Sequence, residues 1–75
     1  MKYTLFTTET CAWCNQLKKF LGMKGVHYDT VDITRDQTKA LELQKLYGAT
    51  TVPILVREDG EYVVGFNIAK TLKLI

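Results

Sequence analysis

Apolar and polar positions along this chain change period several times, and each change marks an element. In residues 2–7, KYTLFT, Tyr3, Leu5 and Thr7 alternate with Lys2, Thr4 and Phe6. Apolar side chains on both faces suit a central strand covered on two sides. The period then lengthens: Trp13, Leu17, Phe20 and Leu21 fall at i, i+4, i+7 and i+8, one face of an amphipathic helix. Gly25 is a natural stop for it, and Gly22 weakens its last turn by about 1 kcal/mol relative to alanine. Residues 27–33, HYDTVDI, read as a second strand through Tyr28, Val31 and Ile33. Thr34 followed by Gln37 has the form of a capping box. The helix after it presents Ala40, Leu43 and Tyr47 on one stripe with Leu46 beside them, and Gly48 ends it. Residues 51–56, TVPILV, form a continuous apolar strand, Asp59-Gly60 is a two-residue hairpin signal, and a fourth strand follows. Asn67 is placed to cap a last helix that uses Ile68, Leu72 and Ile75.

The order is βαβαββα. Strand–helix–strand implies a parallel pair with a right-handed crossover, and the hairpin adds two antiparallel strands. The expected architecture is α/β: a four-stranded mixed sheet flanked by three helices. At 75 residues the chain is read as a single domain, 1–75, whose core supplies roughly 3–5 kcal/mol. Neither a linker, a repeat nor a low-complexity tract interrupts it.

Charge narrows the partners. Ten Lys/Arg against eight Asp/Glu give a net +2, scattered rather than gathered into the basic stripe that nucleic-acid binding uses. The start, MKYTLFT, lacks the apolar run of a signal peptide, and nothing approaches a membrane span. The expected location is cytoplasmic, where persistent structural disulfides are rare.

Against that background the only two cysteines, Cys11 and Cys14 in TETCAWCNQ, carry the candidate chemistry. Cys11 sits where the first strand gives way to the first helix, and Cys14 lies one turn inside. Unpaired N–H groups and the positive dipole end at a helix N-terminus stabilise a thiolate, so the Cys11 pKa is expected below the free value of about 8.5. Thiolate is the species that attacks disulfides. On the helical wheel Cys14 flanks the Leu17/Leu21 stripe while Cys11 projects away, which suits attack by an exposed sulfur and resolution by a shielded one. The alternatives fit less well. As a structural staple so short a loop stabilises by about 2 kcal/mol at most. Zinc needs about four ligands, and beyond the cysteines only His27 is a natural candidate, itself read as a surface or packing residue. A zinc or iron–sulfur site shared between two chains stays open, as does a thioredoxin-like subunit whose cysteines are incidental. CxxC beside a βαβ pattern favours a redox couple.

CxxC opening a helix, Thr51-Val52-Pro53 leading an apolar strand and hairpin, and Gly65-Phe66 before a last helix together resemble the glutaredoxin-like branch of the thioredoxin superfamily, over essentially the whole chain. The resemblance implies a thioredoxin-like fold and a dithiol–disulfide oxidoreductase with Cys11 as nucleophile and Cys14 as resolving cysteine. It also implies that Pro53 is cis, and that Val52, with Thr51 as neighbour, offers its backbone to an extended substrate. A proline at that point fits the first residue of a strand or a turn, since it cannot donate to a ladder.

Two branches of the family differ in their electron source. Glutathione-using members usually have a basic residue where this chain has Thr8. They tend to carry Gly-Gly, an aromatic and Asp where it has Val64-Gly65-Phe66-Asn67. Loss of a fixed cation and an acid weakens glutathione binding. NrdH-type redoxins, which take electrons from NADPH through thioredoxin reductase and pass them to ribonucleotide reductase, share the short length and the Gly-Phe. Their usual Trp-Ser is Val63-Val64 here, and Ala12-Trp13 matches the middle pair of neither branch. The chain is placed nearest the NrdH type, as a monomer needing no bound cofactor or metal, with glutathione as the alternative donor. Trp13 and Phe66 each have a core and a rim reading. For Trp13 the rim is favoured, where a flat apolar side chain meets a partner.

Overall fold

The computed structural model describes residues 2–48 and 51–75. Strand β1 (Tyr3–Thr7) is followed by helix α1 (Ala12–Met23), strand β2 (Asp29–Asp32), helix α2 (Gln37–Tyr47), strands β3 (Ile54–Arg57) and β4 (Tyr62–Val64), and helix α3 (Ile68–Leu74). The strands form one mixed sheet in the order β2-β1-β3-β4. β1 and β2 are parallel, whereas β3 is antiparallel to both β1 and β4. The βαβαββα order and the mixed sheet are those expected from the hydrophobic pattern.

Register explains why β1 is apolar on both faces. Leu5 stands beside Leu55, which stands beside Val63, and this row packs with Leu17 and Leu21 of α1 and Leu74 of α3. Full burial of each leucine contributes roughly 1.5–3 kcal/mol. One residue along, Phe6, Ile54 and Val64 form a row on the opposite face. Tyr62, which alternates with Val63, meets Tyr47 of α2 on that face at a ring-centroid distance of 4.5 Å. Leu43 of α2 is buried, Ala40 and Tyr47 are half-buried, and Leu46 is exposed.

Both long helices end on left-handed glycines. After α1, Gly25 (φ 70°) allows the Val26 amide to donate to the Leu21 carbonyl and its own amide to donate to that of Gly22, a Schellman arrangement. After α2, Gly48 (φ 68°) donates to the Gln44 carbonyl.

Four local expectations are corrected. The third strand begins at Ile54 rather than 51, because Pro53 has no N–H to pair; its carbonyl instead accepts the Gly65 amide at 2.7 Å. The second strand spans only Asp29–Asp32, although the Ile33 amide still donates to the Thr7 carbonyl. Asp36, not Thr34, caps α2, accepting the Lys39 amide at 2.9 Å. In α3 the buried residues are Thr71 and Leu74, while Ile68 and Leu72 are about half exposed. With seven residues that helix carries too few apolar positions to reveal its phase. Its orientation is set from outside, by the Asn67 cap and by Arg57 Nη1 donating to the Leu74 carbonyl at 2.9 Å. The buried Thr71 hydroxyl is satisfied locally, donating to the Asn67 carbonyl at 2.7 Å, a habit of threonine in helices.

Candidate active site

β1 runs through the middle of the sheet and delivers the chain, through residues 8–10, to Cys11. Cys11 is the N-cap of α1: its backbone is extended, and its Sγ accepts the Cys14 amide at 3.0 Å. A sulfur there receives one of the orphan N–H groups of the first turn and faces the positive end of the helix dipole. Cys14 has no exposed surface, while Cys11 is half-buried. The two sulfurs are joined, with Cα atoms 5.2 Å apart.

Two further segments, residues 51–53 and 65–66, build the surroundings of Cys11 and Trp13. The Val52–Pro53 peptide bond is cis, and the Val52 carbonyl lies 3.8 Å from Cys11 Sγ. The Gly65 amide donates to the Pro53 carbonyl from a backbone at φ 80°, a conformation a Cβ would oppose. Phe66 then places its ring 5.8 Å from that of Trp13, stacked at 28°. Trp13 keeps 63% of its surface exposed, whereas Phe66 packs partly onto the core. Trp13, Thr51, Val52, Pro53, Gly65 and Phe66 thereby line a cleft of about 350 Å³, with no ionisable side chain among them.

The remaining sequence candidates take supporting positions. The Thr8 carbonyl accepts the Cys11 amide in a long turn contact of 3.4 Å, and Ala12 is exposed on the first turn. Asn67 Oδ1 accepts the Lys70 amide at 3.0 Å, so its side chain is committed to capping α3. His27 lies away from the cysteines, in a larger concavity of about 460 Å³ with Lys2, Tyr3, Tyr28 and Asp29 at the other end of β1. The smaller cleft is the one beside the sulfurs, through Val52. Among the described residues, no three His, Cys, Asp or Glu side chains gather as a metal site, and no helix is long and apolar enough to cross a membrane.

Known proteins agree with this arrangement. The glutaredoxin family model matches residues 3–63. The chain belongs to the glutaredoxin family. A glutaredoxin-like 8.6 kDa protein of Clostridium pasteurianum is 34% identical over 95% of this chain and 93% of its own length. The crystal structure of the thioredoxin-like protein BC3987 superposes with a TM-score of 0.84 at 32% identity, over 97% of this chain and 99% of that one. NrdH-redoxin of Escherichia coli shares the fold, with a TM-score of 0.82 at 21% identity, over 100% and 96% of the two chains. As a glutaredoxin with a CxxC pair, the chain is a thiol–disulfide oxidoreductase of thioredoxin-like fold.

One contact of this glutaredoxin's site was not foreseen. The loop that precedes Cys11 is tied to the β2–α2 turn: the Glu9 amide donates to Thr34 Oγ1 at 2.8 Å, and the Thr34 amide donates to Asp32 Oδ1 at 2.8 Å. The Thr34 hydroxyl and amide, in that order, hold the Asp32 carboxyl below its ordinary range, with a smaller contribution from the charge of Lys18. A threonine before a helix ordinarily reads as a cap, so nothing local in the sequence marks this reach across the fold.

Proposed function

We propose that this glutaredoxin reduces disulfides in proteins with electrons drawn from NADPH through thioredoxin reductase, and passes them to an acceptor of the ribonucleotide reductase type in the cytoplasm. One observation carries the preference for a protein partner over glutathione: the cleft beside Cys11 has a wholly uncharged lining. Glutathione presents two carboxylates and an ammonium group, and charge-assisted bonds are the strong ones available to a small ligand. Thr8 offers no cation, and the Asn67 side chain is occupied by the Lys70 amide. The exposed Trp13 stacked on Phe66 is instead a flat apolar contact, the kind a protein surface uses.

In the proposed cycle the Cys11 thiolate attacks one sulfur of the substrate disulfide. A mixed disulfide forms and the other substrate sulfur leaves as thiolate. Cys14, deprotonated, attacks Cys11 Sγ, which releases the second substrate thiolate and leaves the Cys11–Cys14 disulfide. Two electrons have moved to the substrate, and the external reductant returns two. The Cys14 amide at Cys11 Sγ favours the thiolate form. Val52, with its carbonyl turned to that sulfur and Thr51 beside it, pairs with an extended substrate segment in the manner of strand addition.

A glutathione-dependent reading retains Gly65 and Phe66 in its favour. A coupled NADPH assay of the oxidised protein decides between them, with thioredoxin reductase in one arm and glutathione plus glutathione reductase in the other. Turnover in the first arm is expected. Turnover confined to the second would transfer the assignment to glutathione, and stoichiometric iron or zinc in freshly purified protein would replace the simple redox reading with a metal-carrying one.

A further inference from the structure

We propose that Thr34 is a positioning residue for the Cys11 thiolate, acting through the Glu9 amide from the far side of the β1–β2 pair. This rests on the reading of Cys11 as the attacking sulfur. The sulfur's usefulness depends on the N-cap geometry, in which an extended Cys11 backbone brings Sγ to 3.0 Å from the Cys14 amide. That backbone is entered through residues 8–10, of which Glu9 and Thr10 are exposed, and the internal closure of this turn is the long 3.4 Å contact from the Cys11 amide to the Thr8 carbonyl. The shorter bond on this turn comes from outside it. Thr34 Oγ1, 25 positions along the chain, accepts the Glu9 amide at 2.8 Å.

Thr34 is itself fixed at both ends. Its amide donates to Asp32 Oδ1, and Asp32 is held in the sheet by pairing with Thr7, the last residue of β1. The next amide, Ile33, also donates to the Thr7 carbonyl at 2.9 Å. A closed brace results: β1 ends at Thr7, the turn leaves it, and the neighbouring strand returns a hydroxyl to the middle of that turn. Because the Thr34 backbone is anchored through its amide to Asp32, its hydroxyl meets the Glu9 amide from a fixed position. Valine in place of Thr34 keeps the shape and removes the acceptor. Glu9 and Cys11 then sample positions in which Sγ leaves the Cys14 amide, and the thiolate loses that support for part of the time.

The test compares Thr34→Val with Thr34→Ser in the fully reduced protein. The readouts are the rate of iodoacetamide alkylation from pH 5 to 9, the site of first alkylation by mass spectrometry, and the exchange rate of the Glu9 amide by NMR. Thr34→Val is expected to slow Cys11 alkylation near neutral pH by roughly two- to fivefold, the factor appropriate to one solvent-accessible neutral hydrogen bond, and to move the profile to higher pH. The Glu9 amide should exchange faster. Thr34→Ser, which keeps the oxygen, should stay within twofold of wild type in both. An unchanged Thr34→Val profile overturns the proposal, and so does a Thr34→Ser variant as impaired as Thr34→Val, since the methyl group would then be the cause. First alkylation at Cys14 would instead remove the reading of Cys11 on which the proposal rests. Should Thr34→Val not fold, Thr34→Ala carries the same comparison.

Discussion

Cys11 holds two positions at once, sulfur nucleophile and helix cap, and the second can be measured without the first. In the reduced protein, Cys11→Ala removes the acceptor of the Cys14 amide and leaves that N–H at the mouth of a helix whose next turns carry Leu17 and Leu21 into the core. Replacing an N-cap acceptor by alanine costs roughly 0.5–2 kcal/mol, typically about 1. Cys11→Ser keeps an acceptor, and serine is among the preferred caps, so it should match or exceed the reduced wild type. The two variants should differ by about 1 kcal/mol, which for a domain of this length is a midpoint difference of roughly 4–8 °C. The loss should not approach the ~2–5 kcal/mol of a large-to-small core change, because fraying the first turn uncovers only Cys14 among buried side chains of α1. Urea and thermal unfolding followed by circular dichroism, with dithiothreitol present throughout, give the comparison. Equal stabilities for Cys11→Ala and Cys11→Ser would refute the capping role, and with it the argument that the same N–H supports the thiolate.

Three other outcomes are expected. Cys14→Ser should accumulate a mixed disulfide with its partner, seen as an added mass removed by reductant, and Cys11→Ser should have no turnover; activity retained in the latter would overturn the order of attack. Trp13→Ala should destabilise by no more than about 1 kcal/mol, within the roughly 0.5–1.5 kcal/mol of an aromatic pair, since most of the ring already faces water. Its apparent KM for a protein disulfide should rise several-fold with kcat little changed, and an unaltered KM would remove Trp13 from the docking surface. Finally, Arg57 holds the Asp59 carboxyl at about 2, below its ordinary 3.8, through paired bonds of 2.9 and 2.7 Å. A folded-state pKa below the unfolded one means that this contribution is present above about pH 4 and is lost as pH falls toward 2. Asp59→Asn should flatten the stability profile across that window, as read by urea midpoints at stepped pH, and an unchanged slope would assign the acid sensitivity to other groups.

The relation of sequence to site differs element by element. The place of β1 inside the sheet was readable because Leu5 and Phe6 point to opposite faces of one strand, which suits a central strand covered on two sides; the order β2-β1-β3-β4 came from the structure. Cys11 was readable because a strand-to-helix junction places orphan amides at one known point. Trp13 had two readings, core from its helical spacing and rim from its place in the first turn, and the favoured rim reading agrees with a side chain that keeps 63% of its surface exposed. In α3 the pattern pointed to Ile68 and Leu72, yet Thr71 and Leu74 are the buried pair. A helix so short takes its rotation from its neighbours, here the bond from Arg57 to the Leu74 carbonyl.

What the residues determined unaided had local causes: the periods of strand and helix, the glycine stops, the Asn67 cap, and a cysteine at a helix start, each governed by backbone geometry within a few positions. Tertiary structure alone decided which surfaces met. Val52 reaches Cys11 and Phe66 reaches Trp13 only because β3 pairs with β1 and β4 with β3, and the uncharged cleft exists only where those segments meet. Thr34, by its local sequence a cap, became the brace of the Cys11 turn because parallel pairing sets the end of β2 alongside the end of β1. Such contacts join positions far apart in the chain, and no periodicity records them.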